Sequence, residues 1–263
     1  MTDTPVVVDR AGAVATLTLN DPEHRNALTG AAKEALRDAV ADVATDEGVR
    51  AVVLTGSDRA FCLGQDLAEH AEALTGGAEA AFATVREHYS PIVRNLLTMP
   101  KPVIAAVGGT CVGAGLGLAL ACDHRVFASG VKLATAFTGI GLTFDTGLSV
   151  TLPGAVGDAR AKELILFGRT FTAEEAIAWG ISGETAAADE VLPRALALAQ
   201  QLADGPTTAF AQSKRLIGQA HGLSLDEALE AEALGQVRCG STSDHAGAVA
   251  AFLNRQAPVF TGR

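Results

Sequence analysis

Twice in this chain an apolar run that reads as a strand empties into a tight, glycine-bearing turn. The first is Ala60-Phe61-Cys62-Leu63-Gly64-Gln65-Asp66-Leu67 and the second is Gly113-Ala114-Gly115-Leu116-Gly117. Turns of this kind leave backbone N–H groups without partners, and a helix start adds the positive end of its dipole. Two of them brought together can hold one carbonyl oxygen as it gains negative charge. The second turn runs on into Leu118-Ala119-Leu120-Ala121-Cys122, which reads as a buried helix aimed at that same oxygen.

The surrounding stretches alternate. Val6 to Val8 and Val14 to Leu19 read as strands joined in a hairpin at Arg10-Ala11-Gly12. Thr29 is placed to cap a helix in which Leu36, Val40 and Val43 recur at helical spacing, ended by Asp46-Glu47-Gly48. Ala51 to Leu54 reads as a buried parallel strand. A helical stretch from about Ala78 to Leu97, stopped by Pro100 and Pro102, precedes a strand at Val103 to Val107. This order predicts an α/β domain with crossover connections. A strand at Arg125 to Ala128 leads to a loop over Thr138 to Gly147, with helices near Ala159–Phe167 and Ala173–Trp179. Beyond Leu192 only helices are predicted, giving a core domain over 1–191 and a helical region over 192–263.

Charge narrows the partners. The 263 residues carry 20 basic and 30 acidic side chains, a net −10 without a basic stripe, which argues against nucleic acid. No apolar run is long enough to span a membrane, so none is expected as a partner. Cys62, Cys111, Cys122 and Cys239 contain no C-x-x-C pair and read as buried free thiols suited to a reducing cytoplasm. The N-terminus lacks the basic and apolar regions of a signal peptide.

Several motifs fail on inspection. Gly113-Ala114-Gly115 would need a third glycine where Leu118 stands, and Gly139-Ile140-Gly141 where Phe144 stands, so neither is a dinucleotide fingerprint. There is no P-loop and no Gly-x-Ser-x-Gly elbow. His24, His70, His88, His124, His221 and His245 form no metal-ligand spacing, so no metal is expected.

Glu23-His24-Arg25-Asn26-Ala27-Leu28, Ala60 to Leu67, Lys101 to Asp123, Gly139 to Gly147, Ala173 to Ser182 and the tail Ala251-Phe252-Leu253 to Pro258-Val259-Phe260 resemble, in that order, the crotonase (enoyl-CoA hydratase/isomerase) superfamily. The resemblance spans essentially the whole chain. It implies an α/β spiral of ββα units with a helical C-terminal region that mediates oligomerisation and covers the active site. It also implies homotrimers or hexamers built as pairs of trimers, and an acyl-CoA substrate with no separate cofactor. The oxyanion donors it implies are the backbone N–H groups of Gln65 and Ala114. The commoner glycine is replaced at Ala114, which a backbone donor tolerates if φ stays negative. Arg25, Ala60, Asp66 and Leu67 are implied as coenzyme contacts, and Phe137, Leu142 and Phe144 as the border of the acyl pocket.

Family hydratases flank a water with two carboxylates, one as acid and one as base. The corresponding positions here hold Gly117 and, without gaps, Phe137. No Asp or Glu occurs between His88 and Cys122, nor between His124 and Phe144. The acid that remains is Asp145, expected as a single acid/base, with the cap of the next helix as its plainer alternative. The turns, Tyr89 to Arg94 and the end Phe260-Thr261-Gly262-Arg263 are most similar to the ring-1,2-epoxyphenylacetyl-CoA isomerase branch. A dehalogenase relative is disfavoured: Ser90 stands where its histidine would be, and His88 lies about 200° around the helix. Three readings follow: an enoyl-CoA or ring-epoxide isomerase, a hydratase of fatty-acid or aromatic-acid catabolism, and a non-catalytic acyl-CoA-binding subunit.

Overall fold

The computed structural model describes residues 4–57 and 59–263. Strands β1 (Val6–Ala11) and β2 (Val14–Leu19) form the expected hairpin. Helix α1 (Gly30–Thr45) is capped by Thr29, whose hydroxyl accepts from the Ala32 N–H, and it buries Leu36, Val40 and Val43. Three ββα units follow. The first is β3 (Ala51–Gly56), β4 (Ala60–Cys62) and α2 (Leu67–Leu74), which continues through α3 (Ala78–Thr84), a π turn (Val85–Tyr89) and α4 (Ser90–Thr98). The second is β5 (Val103–Val107), β6 (Thr110–Val112) and α5 (Ala114–Ala121). The third is β7 (His124–Ala128), β8 (Lys132–Ala134) and α6 (Leu148–Phe167).

Each unit gives its first strand to one sheet and its second to another. The large sheet has the order β1-β2-β3-β5-β7-β10, where β10 is Glu184–Ala186, and it is parallel beyond the β1–β2 pair. The small sheet has the order β4-β6-β8-β9, with β9 at Phe171–Thr172. Successive units therefore stack as a spiral, and each passage from the small sheet into a helix makes a turn at the same end of the molecule. The unbroken burial of β3 and β5 is why those strands read as apolar runs without alternation.

Helix α7 (Ala173–Ala178) opens with a Thr172/Glu175 capping box. Four helices then complete the chain: α8 (Val191–Ala203), α9 (Thr207–Ala220), α10 (Leu225–Gly240) and α11 (Ser243–Leu253). The predicted division at 191/192 falls at the start of α8, whose Ala195, Ala199 and Ala203 are fully buried against the large sheet. Small residues spaced by four let this helix lie close on the strands. Arg50, just before β3, holds the far end by donating to the Gly205 and Phe260 carbonyls at 2.5 and 3.2 Å.

Two helices differ from expectation. α6 starts at Leu148 rather than Ala159, running through Pro153 and breaking at Gly157, where φ is 75° and ψ 157°. Pro153 and Gly157 lie in the first part of this helix, where the sequence predicts no element. α2 was not expected at all; Asp66 caps it by accepting from the Glu69 N–H at 2.8 Å. The Asp66-x-x-Glu69 spacing was the sequence signal for it. Among the described residues no helix is long and apolar enough to cross a membrane.

Candidate active site

The two turns meet. A methyl group added to Gly115 would lie 2.3 Å from the Cys62 carbonyl oxygen, so only glycine allows this approach. The first turn is fixed on its other side by Leu28, whose N–H donates to the Gly64 carbonyl at 2.7 Å and whose carbonyl accepts from the Asp66 N–H at 3.2 Å. In a parallel bridge of this kind the intervening residue, Gln65, turns its own N–H away from the partner. Ala114 is the first residue of α5, where a helix supplies no acceptor, and it does not adopt positive φ. Among the described residues neither the Gln65 nor the Ala114 N–H donates to a protein acceptor. Cys62 underlies the turn: it is fully buried, its sulfur accepts from the Gly64 N–H at 3.3 Å, and burial pushes its thiol up to about 12.

Both residues line a cavity of about 380 Å³. Phe137 and Leu142 form one wall, Phe82 and Val85 another, and Leu67, 55% exposed, stands at its edge. Asp145 also lines it. Its Oδ1 is buried without a hydrogen-bond partner, and desolvation by burial raises its carboxyl pKa to about 6. It does not cap the next helix: the residue before α6 is Gly147, and no side chain bonds that helix start.

The loop is held by the next residue. Thr146 is buried at φ +48°, a strained region for a β-branched side chain, with its hydroxyl unpartnered. That side chain fills the notch left by Gly117: a Cβ there would come within 1.9 Å of the Thr146 Oγ1. The position that would hold a hydratase's first carboxylate is therefore occupied by the loop that carries Asp145.

Other expected contacts divide. Asp66 lines the cavity while capping α2. Phe144 does not line it; this ring is half-buried against the hydrophobic core. Ala60 is likewise off the cavity, buried in β4 with its carbonyl accepting from the Asn26 Nδ2 at 2.7 Å. Arg25 is exposed on a positive-φ corner away from the cavity wall. No lining residue lies beyond Asp145, so the region over 192–263 does not cover the cavity within one chain. Two residues were missed. Tyr89 lines the cavity and donates to the Gln65 Oε1, and buried Lys33 approaches the same oxygen at 3.4 Å. Tyr89 opens the Tyr89 to Arg94 segment, but nothing in that pattern links it to Gln65; both it and Lys33 reach the turn through tertiary packing.

The model of the enoyl-CoA hydratase/isomerase family matches residues 9–263. The chain belongs to that family. It has the crotonase fold, and it is an acyl-CoA-processing family member. It is 38% identical over 250 residues to the 1,2-epoxyphenylacetyl-CoA isomerase of Escherichia coli (strain K12), covering 95% of each chain. It is 39% identical over 254 residues to a probable enoyl-CoA hydratase of Rhodobacter capsulatus, again covering 95% of each. A solved structure from Mycobacterium abscessus, assigned as an enoyl-CoA hydratase/isomerase, superposes with a TM-score of 0.94 at 43% identity, covering 98% of this chain and 100% of that one. Relatives thus carry both isomerase and hydratase names.

Proposed function

We propose that this family member is an isomerase of enoyl-CoA or ring-epoxide acyl-CoA thioesters, with Asp145 as its single acid/base. The observation that carries the reading is one desolvated carboxyl on the same cavity as two unpaired backbone N–H groups, with position 117 closed to a second acid. The Gln65 and Ala114 N–H groups bind the thioester oxygen as Asp145 takes a proton from C2. The electron pair moves into the enolate, and the same carboxyl returns its proton to C4, so a 3-enoyl thioester becomes a 2-enoyl thioester. Coenzyme A enters as part of the substrate, and the chemistry requires no other cofactor. One oxyanion donor is typically worth about 2.7–4 kcal/mol, which makes the turns the larger contribution.

A base must be deprotonated to act, so kcat/KM should rise with pH through about 6, where Asp145 titrates. Asp145→Asn should abolish isomerisation of a 3-enoyl-CoA while acyl-CoA affinity changes little. Full activity in that variant would overturn the reading. The hydratase reading draws on the names of relatives such as the Rhodobacter protein. Hydration of crotonyl-CoA by the wild type would favour it, and tight binding without turnover of either substrate would favour a binding subunit. The same reading includes a cytoplasmic homotrimer or hexamer, supported by exposed Leu225, Val237, Phe252 and Leu253 on the last helices. Exposed Arg25 then serves as a coenzyme contact outside the acyl cavity, while buried Ala60 supports the turn from β4.

A further inference from the structure

Beneath the first turn lies a buried cation that the proposed chemistry has not used. Lys33, on α1, is 4% exposed, yet its ammonium has one hydrogen-bond acceptor among the described residues, the Gln65 Oε1 at 3.4 Å. That oxygen also accepts from the hydroxyl of Tyr89, itself 1% exposed, and the Lys33 nitrogen stands 5.8 Å from the centre of the Tyr89 ring. An ammonium with three donors and one long bond is expensive to bury. A leucine or methionine would fill the space at lower cost, so packing does not explain the charge.

The surroundings do. Burial is the strongest influence and lowers the lysine's pKa, while Glu69 on α2, Asp66 at its cap and Asp145 on its loop oppose it by favouring the charged form. Lys33 in turn favours the ionised form of Asp145, opposing the burial that drives it neutral. His88, in the π turn, also feels the lysine, which together with burial disfavours its protonation. The lysine thus touches the side chain of the residue whose amide would hold the oxyanion, and its charge favours the ionised Asp145.

We propose that Lys33 is a positioning residue: through the Gln65 side chain, and with Tyr89, it fixes the turn whose Gln65 amide holds the oxyanion. Its charge also favours the ionised form of Asp145. This deepens the isomerase reading and rests on it. The test compares wild type, Lys33→Met, Lys33→Arg and Tyr89→Phe in kcat and KM for a 3-enoyl-CoA across pH. Carbon-13 NMR titration of the Asp145 carboxyl accompanies it. In Lys33→Met, kcat should fall about tenfold with KM nearly unchanged, a loss confined to the transition state. Its acid limb and the Asp145 titration should both move to higher pH, and Lys33→Arg should restore them. Tyr89→Phe, which keeps the charge, should lower kcat without moving the limb.

An unchanged Asp145 titration in folded Lys33→Met would overturn the inference. If that variant does not fold, wild-type kcat in Tyr89→Phe overturns it instead. Failure of the isomerase reading is distinguishable: it shows as an inactive wild type or a fully active Asp145→Asn, and the NMR titration is readable in either case.

Discussion

At position 117 a side chain has nowhere to go. Any β-carbon there displaces Thr146, and Thr146 is joined directly to Asp145. Gly117→Ala should therefore cost about 1–3 kcal/mol, the usual range for overpacking, and lower the proposed isomerase activity by moving the loop. Denaturant unfolding and turnover of a 3-enoyl-CoA measure the two effects. Asp145 carries a second consequence. Its pKa is raised from 3.8 to about 6 on folding, so it holds a proton in the folded state that the unfolded chain releases. This stabilising contribution is complete below about pH 3.8 and is lost as pH rises through about 6. Asp145→Asn should thus match wild type near pH 4 and exceed it at pH 7 by up to about 3 kcal/mol. Equal melting temperatures of the two proteins at pH 7 would contradict the assignment. Asp145 was legible because acids are missing on both sides of it. The Lys33–Gln65–Tyr89 contacts were not legible, since 32 residues separate Lys33 from Gln65 and 24 separate Tyr89 from it.

The π turn Val85–Tyr89 gives the cavity two of its lining residues, Val85 and Tyr89. A turn of this type holds one extra residue, and such insertions often re-aim side chains at functional positions. α4 is anchored in the core by Ile92, Val93 and Leu96, so its phase is fixed. Deleting Glu87 would let α3 and α4 run as one helix and rotate the upstream part by about 100°. Phe82 and Val85 would turn away from the cavity while Tyr89 stayed. The expected outcome is retained helix content with kcat/KM lower by up to about 100-fold, the scale of a misplaced substrate. Circular dichroism and steady-state kinetics would show it. From the sequence the whole stretch Ala78 to Leu97 reads as one helix, because apolar spacing does not distinguish a π insertion from a continuous α-helix.

Over the whole molecule, the large sheet was legible except at β10, and the small one was not. Strands β3 and β5 are runs of six and five residues, mostly or wholly apolar, and β7 carries three apolar residues after His124 and Arg125, enough to stand out. β4, β6 and β8 are three residues each and are defined by their partners rather than by their own pattern. Yet the small sheet sets the site, since β4 and β6 are paired in parallel and lead directly into the two turns. Only the resemblance to a known family pointed to the spiral that joins them.

That pairing also equips the protein with its own clock. Cys62 and Cys111 face each other in β4 and β6, and both are fully buried, as is the thiol of Cys122 at the end of α5. Burial raises all three above the ordinary thiol value, while Cys239 alone is partly accessible. Alkylation with iodoacetamide should modify one sulfur quickly and three only as fast as the strands part. A substrate that grips both loops should slow the latter reaction at Cys62 most, so peptide mass spectrometry could follow occupancy without any turnover.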